Sequence, residues 1–328
     1  MNLNPSYDIV LRAGAIDALP AYISSGKLLV ITDDGLPQAH IDRLLALLPA
    51  GTHVFTVKQG EGAKSLDGYA AICEELLRLG FHRDDMLIAF GGGVVGDLTG
   101  FVAATYMRGI SFINIPTTAL SQIDSSIGGK TAINFCGTKN VLGCFHQPRA
   151  VLVDTAILSS LPARQLYNGL VEALKAGLIY DSALFEIFES LPIQENINEI
   201  IRLSLLVKKD VVEKDEKEQG LRKILNFGHT IGHGLESSCG LLHGEAVAYG
   251  MLCMIDDEAL RARVKRIIQD KLHINAAISF DKAAVLAEIS KDKKADTDGV
   301  TIVTVNKPSE AKLRRVSFDE CISYLDRL

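Results

Sequence analysis

The chain has 328 residues, of which 48% are hydrophobic and 23% are charged, and its formal net charge at pH 7 is −6. This length is enough for two domains with sizeable cores. Because nucleic acids and anionic membrane surfaces attract basic proteins, the acidic balance excludes a general affinity for either. An anionic ligand must therefore be held by local groups of basic side chains.

Short β-branched runs alternate with amphipathic stretches in the first half of the chain. The helical spacing over 69–80 ends at Gly80, a residue typical of helix ends. The runs predict buried strands at 27–33, 52–57, 86–90, 112–116 and 150–154. Because strand and helix alternate, we expect residues 1–160 to form an α/β domain with a parallel sheet covered by helices.

From about Leu161 the pattern becomes helical. A late β-branched run, VTIVTV at 300–305, predicts a single returning strand. The spacing of apolar residues predicts helices over 163–180, 182–190, 197–214, 228–239 and 243–260. We therefore expect a second, all-α domain over residues 161–328. Because no flexible linker separates the halves, we expect them to share a cleft that holds the active site.

Cysteine usage and the apolar runs bear on location. Six cysteines are scattered without a CxxC pair, which indicates reduced thiols and a cytoplasmic protein. The first residues, MNLNPSYDIVLRAG, lack the basic start and apolar core of a signal peptide. No apolar run approaches the ~20 residues that a membrane-spanning helix needs. We expect a protein that is neither exported nor embedded in a membrane.

A glycine-rich segment follows one predicted strand. AFGGGVVGDLTG places Gly91, Gly93 and Gly96 in a GxGxxG arrangement, and glycine lets the backbone approach a pyrophosphate at a helix N-terminus. Asp33, at the end of an earlier strand, offers a carboxylate to ribose hydroxyls. These features favour a dinucleotide site. The alternatives are a tight turn with no ligand and an acid that only caps a strand end.

GGKT at 128–131 matches the end of a phosphate-binding P-loop. The full motif GxxxxGK[ST] requires glycine at position 124, where the chain has Asp124. We therefore disfavour an NTPase. Lys130 is still a candidate point charge for phosphate, and a solvated lysine is the alternative.

Candidate metal ligands lie in the second half. His229 and His233 are four residues apart, on one face of a predicted helix, as in the HExxH motif of zinc proteases. Thr230 stands where that motif needs its glutamate, so a metalloprotease is disfavoured. With His243 and Glu172, one carboxylate and two imidazoles leave an open coordination position for catalysis. The spacing leaves open which two histidines serve, and a buried polar pair is the alternative.

Six segments, taken in order, resemble one family, the 3-dehydroquinate synthases. They are GGGVVGDLTGFVAATYMRG, IPTTALSQIDSSIGGKTAIN, GTKNVLG, LPARQLYNGLVEALKAG, GLRKILNFGHTIGHGLE and HGEAVAYGM. The resemblance extends over most of the chain between residues 60 and 251. It implies a Rossmann-like N-terminal domain, a helical C-terminal domain, NAD and one zinc or cobalt ion in the cleft, and a homodimer.

The resemblance also implies roles for individual residues. It makes Glu172, His229 and His243 the metal ligands and places His233 near the substrate phosphate, with Arg108 reaching that phosphate across a dimer interface. The implied NAD contacts are Asp33, Glu61, Lys64, Gly92, Gly93, Val94, Asp97, Thr117, Thr118, Asp124, Ser125, Lys130, Lys139, Ser160 and Leu161. The implied substrate contacts are Asp124, Lys130, Asn140, Lys175, Lys208, Arg222, Asn226 and one or both of Lys293 and Lys294.

The implied reaction converts 3-deoxy-D-arabino-heptulosonate 7-phosphate into 3-dehydroquinate and phosphate, a step of aromatic amino acid biosynthesis. NAD transiently oxidises the C5 alcohol, phosphate leaves, the hydride is returned, and ring opening precedes an intramolecular aldol closure. The metal polarises the C5 oxygen. Because this substrate carries a carboxylate and a phosphate, we expect basic side chains to cluster around it.

Particular residues argue against three other functions. Another sugar phosphate cyclase, such as 2-deoxy-scyllo-inosose synthase, accepts a substrate without the carboxylate, whereas Lys208, Arg222 and Asn226 favour a carboxylate site. A polyol dehydrogenase, which would release NADH, is disfavoured because Lys130, Lys139 and Lys175 favour a phosphorylated substrate. A non-catalytic NAD-binding protein is disfavoured because all three implied metal ligands are present together. The ligand types suit both zinc and cobalt.

Three segments depart from the family pattern. QGEGAKS at 59–65 keeps Glu61 and Lys64 in an otherwise unusual context. The helical region after 251–264 is shorter than usual, and DKKADTDG at 292–299 aligns loosely. The adenine and ribose contacts, the C-terminal packing and the choice between the two lysines are therefore the least constrained expectations.

Overall fold

The computed structural model describes residues 7–275, 277–290, 295–296 and 299–328, so Lys293 and Lys294 lie outside the described residues. The chain divides into two compact units, Met1–Pro162 and Ala163–Leu328. Among the described helices, none has both the length and the apolar character needed to cross a bilayer. All six cysteines are free thiols. The cleft expected between the halves stays a prediction.

Over its described residues, 7–162, the first unit contains eight strands and three α-helices. The strands are β1 (Asp8–Arg12), β2 (Leu28–Asp33), β3 (His53–Val57), β4 (Met86–Gly91), β5 (Ser111–Pro116), β6 (Lys130–Phe135), β7 (Thr138–Phe145) and β8 (Ala150–Asp154). The helices are α1 (Gln38–Leu45), α2 (Leu66–Arg78) and α3 (Gly93–Thr105). Six strands form a parallel sheet in the order β1-β8-β5-β4-β2-β3, while β6 and β7 form an antiparallel hairpin.

Apolar side chains cover both faces of the parallel sheet. Leu29 and Ile31 of β2 pack in a core that includes residues of α2 and α3, whereas Leu28 and Val30 pack in the opposite core with residues of α1. Successive side chains of a strand point to opposite faces, so a run of apolar residues without alternation is buried on both sides. This is why the five β-branched runs were good predictors, and all five strands are confirmed as β2 to β5 and β8.

The second unit is mainly helical. Its helices are α4 (Ala163–Ile179), α5 (Ser182–Ser190), α6 (Ile193–Lys214), α7 (His229–Cys239), α8 (His243–Cys253), α9 (Glu258–Arg266), α10 (Lys282–Ile289) and α11 (Phe318–Ser323). A small antiparallel sheet contains β9 (Ala295–Asp296), β10 (Gly299–Val305) and β11 (Ala311–Val316) in the order β11-β10-β9. The expected combination of an α/β half and a helical half is confirmed.

Two expectations for the second unit were wrong. The helix predicted over 243–260 is two helices, because Oδ1 of Asp257 accepts the backbone N–H of Leu260 at 2.7 Å and caps a new helix. Oδ1 of Asn306 also accepts the N–H of Asp256 at 2.8 Å, which fixes the break. The strand at 300–305 is not single, since β10 pairs with both β9 and β11.

Candidate functional site

Three helices of the second unit bring one carboxylate and two imidazoles together. Glu172 lies on α4, His229 begins α7 and His243 begins α8. Oε1 of Glu172 is 3.7 Å from Nε2 of His229 and 3.6 Å from Nε2 of His243. One ligand atom from each residue lies within 4.8 Å of the others. The structure therefore brings together the set that the resemblance implied for the metal.

The other ring nitrogens of these histidines have their own partners. Nδ1 of His229 lies 3.1 Å from the carbonyl oxygen of Phe227, and Nδ1 of His243 lies 3.0 Å from Oε2 of Glu236. Both partners are acceptors, so each Nδ1 donates, and Nε2 is the nitrogen of each ring that remains to bind a metal ion. Such bonds orient histidine ligands in metal sites. Sequence reasoning missed Glu236, although its position seven residues after His229 on one helix was a usable signal.

Glu172 is almost completely buried, at 2% exposure. Burial alone would raise the pKa of its carboxyl group, but the Lys175 ammonium and the His243 imidazole lower it to about 2. Lys175 pairs with Oε2, while Oε1 accepts no hydrogen bond from the described residues. An ionised, buried carboxylate oxygen that faces two imidazole nitrogens fits a divalent ion such as zinc or cobalt.

A second group of donor atoms overlaps the first. Atoms of His233, Glu236 and His243 also lie within 4.8 Å of one another. His233 is exposed, and its ring centroid lies 5.3 Å from that of His229. Because Glu236 already accepts the Nδ1 proton of His243, the group containing Glu172 is the better candidate for the ion. The implied place of His233 near the substrate phosphate stays a prediction.

Asn168 fixes the start of α8 relative to α4. Its Oδ1 accepts the backbone N–H of Gly244 at 2.7 Å and that of Glu245 at 3.3 Å, which caps the helix that His243 begins. A Cβ atom at Gly244 would lie 1.9 Å from the carbonyl oxygen of Asn168, so only glycine permits this approach. Asn168 precedes Glu172 by one helical turn, and the sequence analysis missed it.

In the described part of the second unit, three cationic side chains are buried. Lys175, Lys208 and Arg222 are 2%, 9% and 1% exposed. Helix α6, which carries Lys208, packs against α4 and against the short 3₁₀ helix Leu221–Asn226. Buried cations are rare unless an anion compensates them. The structure thus places the predicted cationic substrate residues on packed neighbouring elements.

Arg222 and Asn226 also have partners of their own. Nη1 of Arg222 donates to the carbonyl oxygen of Glu216 at 2.5 Å, and its backbone N–H donates to Oδ2 of Asp215 at 2.9 Å. Nδ2 of Asn226 donates to Oε1 of Glu218 at 2.6 Å. These bonds hold the segment between α6 and α7 in which both predicted residues lie.

In the first unit, the glycine segment connects β4 to α3 in a sharp turn. Gly92 precedes the first residue of α3, and the N–H of Thr117 donates to the carbonyl oxygen of Gly91 at 2.9 Å. A Cβ atom at Gly93 would lie 3.0 Å from Oγ of Ser125, and one at Gly92 would lie 3.2 Å from Cγ2 of Thr118. The fold therefore gathers these predicted nucleotide residues around a helix N-terminus. Val94 follows in the first turn of that helix.

A polar network lies beside this turn. Lys64 is 4% exposed, pairs with Asp97, and donates from Nζ to Oδ1 of Asn140 at 2.5 Å. Burial raises the pKa of Asp97, Lys64 lowers it, and the carboxylates of Glu61 and Asp124 raise it further, so the net shift is upward. Five predicted site residues from distant parts of the sequence therefore lie close together, namely Glu61, Lys64, Asp97, Asp124 and Asn140.

Other predicted residues lie elsewhere in the unit. Oδ1 of Asp33 accepts the N–H of Gly35 at 2.9 Å, which is the backbone cap that was the alternative to a ribose contact. Oγ of Ser160 lies 2.8 Å from Nε2 of His40, and Leu161 follows it. Arg108 is exposed and has a left-handed φ of 67°. Lys130 begins β6 and Lys139 lies on β7, both with exposed side chains.

Two family models match adjoining parts of the chain. The model of the 3-dehydroquinate synthase N-terminal domain matches residues 54–168, and that of the C-terminal domain matches residues 169–295. Together they cover more than half of the sequence.

Relatives and solved structures agree with these matches. A 3-dehydroquinate synthase from Thermoanaerobacter pseudethanolicus is 38% identical over 98% of this chain and 95% of its own. One from Sulfurovum sp. is 46% identical over 76% of this chain and 71% of its own. The structure of 2-epi-5-epi-valiolone synthase from Streptomyces hygroscopicus, with NAD⁺ and Zn²⁺ bound, has a TM-score of 0.86 at 27% identity, covering 98% of this chain and 96% of that one.

A further structure shares the fold. That of 2-deoxy-scyllo-inosose synthase with carbaglucose-6-phosphate, NAD⁺ and Co²⁺ has a TM-score of 0.82 at 24% identity, covering 98% of this chain and 96% of that one. This likeness bears on the fold alone. With both domains matched and 38% identity to a relative over almost the whole sequence, the chain belongs to the 3-dehydroquinate synthase family.

Proposed function

We propose that the chain converts 3-deoxy-D-arabino-heptulosonate 7-phosphate into 3-dehydroquinate and phosphate, with NAD and one divalent metal ion as cofactors. The observation that carries the proposal is the meeting of Oε1 of Glu172 with Nε2 of His229 and His243, in a member of this family. Bound NAD would supply reversible oxidation of the C5 alcohol, and the metal would supply Lewis-acid polarisation of its oxygen.

Glu172, His229 and His243 would hold the ion. Oε1 of Glu172 is buried and accepts no hydrogen bond from the described residues, and both Nδ1 atoms donate to groups other than Glu172. Both observations support this assignment. Three protein ligands leave a coordination position for a substrate oxygen. The Zn²⁺ bound in the similar structure of 2-epi-5-epi-valiolone synthase supports a divalent ion.

The turn from β4 into α3 would hold the pyrophosphate of NAD. Backbone N–H groups at the start of α3 favour a negative charge, and a side chain at Gly92 or Gly93 would crowd Thr118 or Ser125. The remaining nucleotide contacts would come from Asp33, Glu61, Lys64, Val94, Asp97, Thr117, Asp124, Lys130, Lys139, Ser160 and Leu161.

Basic side chains would hold the two charged ends of the substrate. Lys208, Arg222 and Asn226 would bind the carboxylate, and Lys175, beside Glu172, would contact the substrate oxygens near the metal. Lys130, Asn140, His233, Arg108 and Lys294 would complete the set, with Asp124 orienting the sugar hydroxyls. Holding both ends keeps the reacting carbons close for the final ring closure.

We also propose that the chain forms a homodimer in which Arg108 serves the phosphate site of the other protomer. Its exposure and its position just after α3 are compatible with a contact to a second copy. A reducing cytoplasm is the proposed location, supported by the free thiols.

The choice of substrate tests the proposal. Purified protein with NAD and zinc is given either 3-deoxy-D-arabino-heptulosonate 7-phosphate or glucose 6-phosphate, and released phosphate is measured. We expect release only from the first compound. Release only from glucose 6-phosphate would assign the chain to the inosose-forming branch instead.

A further inference from the structure

Asn134 occupies an irregular point in the hairpin of β6 and β7. Ile133 pairs with Leu142, but the next pair joins Phe135 to Thr138. Asn134 alone therefore faces the bulged segment 139–141 of the partner strand. A bulge removes backbone groups from the ladder, and these groups need other partners.

The side chain of Asn134 supplies one of those partners. Its Oδ1 accepts the backbone N–H of Asn140 at 2.9 Å, in the middle of the bulge. Asn140 has a left-handed φ of 54°, a conformation that asparagine tolerates better than most residues. The bond to Asn134 thus stabilises the turn of the backbone from which the Asn140 side chain reaches Lys64.

Two further bonds tie Asn134 to the segment before α2. Its Nδ2 donates to Oε1 of Glu61 at 2.8 Å, and its backbone N–H donates to the carbonyl oxygen of Lys64 at 2.8 Å. A backbone N–H can only donate and a carboxylate only accepts, so the orientation of the Asn134 amide is fixed by its partners. Aspartate would lack the donor, and leucine would lack both groups.

We infer that Asn134 is a positioning residue of the nucleotide site: without contacting NAD itself, it fixes Glu61, Lys64 and Asn140 relative to one another. This inference rests on the proposed function, because those three residues are proposed to contact NAD or substrate. Lys64 extends the arrangement to Asp97 on α3, beside the glycine turn. The Asn134 side chain therefore links the segment before α2 to the bulge of β7.

Reversing the polarity of the Asn134 to Glu61 bond tests the inference. N134D removes the donor and places a second carboxylate against Glu61, so we expect NAD binding, measured by titration calorimetry, to weaken about tenfold or more. In N134D/E61Q the introduced glutamine amide can donate to the introduced carboxylate. We expect N134D to weaken binding by less than about threefold when E61Q is already present.

Controls separate positioning from general loss of structure. N198D makes the same change at an exposed position of α6, and we expect it to leave NAD affinity unchanged. Melting temperatures are recorded in parallel, so that a loss of NAD affinity in folded N134D is distinguished from misfolding. Unchanged affinity in N134D, or an equal loss with and without E61Q, would overturn the inference alone. Wild-type protein that binds no NAD would overturn the proposed function together with it.

Discussion

Nδ1 of His243 lies 3.0 Å from Oε2 of Glu236, and this bond turns Nε2 of the same ring towards Glu172. Burial lowers the pKa of His243, but the carboxylates of Glu172 and Glu236 raise it to about 9. The two carboxylates therefore favour a positive charge at the ring. A divalent cation placed beside Nε2 would gain from the same carboxylates.

Removing Glu236 should therefore weaken metal binding. We expect E236L to lower the affinity for cobalt or zinc by about 10- to 100-fold, and E236Q, which keeps an acceptor for Nδ1, to lower it less. Competition against a chromophoric chelator measures this. E186L, at an exposed position of α5, is the matched control. Equal affinity in E236L and wild type would contradict this orienting role.

The Glu172 carboxylate should be required for turnover but not for nucleotide binding. E172Q removes the charge next to Nε2 of both histidines, and we expect activity to be abolished while NAD affinity stays within about twofold of wild type. E186Q provides the same chemical change on the surface. Full activity in E172Q would remove the metal assignment.

Arg222 should set the affinity for the substrate carboxylate. R222K keeps the charge but loses the planar pair of donors, so we expect KM for the heptulosonate phosphate to rise about tenfold or more, with NAD affinity unchanged. Because Arg222 is fully buried, the melting temperature is recorded in parallel. R202K, on the exposed part of α6, is the control. An unchanged KM would exclude the carboxylate role.

Arg108 should act across a dimer interface. R108A and E172Q proteins are each expected to be inactive, but mixed dimers would contain one site with both residues intact. Random reassociation makes half of the dimers mixed, so activity should recover to about one quarter of the wild-type value. Absence of recovery after refolding together, with mixed dimers shown to form, would place Arg108 in its own subunit's site or outside the site.

The sequence was a good guide where a single physical pattern dominated. The strands with uninterrupted apolar runs, such as β2 and β4, must be buried on both faces, and that requirement is visible in their composition. The edge strand β1 and the hairpin β6 to β7 were missed. Most of β7 is exposed, so its residues carry no alternation of buried and exposed positions to read. β11 (AKLRRV) was also missed, because it is mostly exposed and three of its six residues are charged, so it has no apolar run.

In the candidate site too, some residues could be predicted from a local sequence pattern and others could not. Spacing alone could not choose among His229, His233 and His243, because all three rings lie close together and the decision depends on the direction of each Nε2. Asn134 and Asn168 could not be found as positioning residues, since their roles come from hydrogen bonds to backbone groups of segments distant in sequence. The convergence of Glu61, Lys64, Asp97 and Asn140 was implied by family resemblance and not by any local pattern.

The most direct measurement follows phosphate and NADH together while the heptulosonate phosphate is consumed. With NAD far below the substrate concentration and zinc added, we predict many phosphates released per NAD, no accumulation of NADH, and loss of activity with a chelator. One NADH formed for each substrate consumed would contradict the account and indicate a dehydrogenase. Phosphate release that survives complete metal removal would contradict the role given to Glu172, His229 and His243.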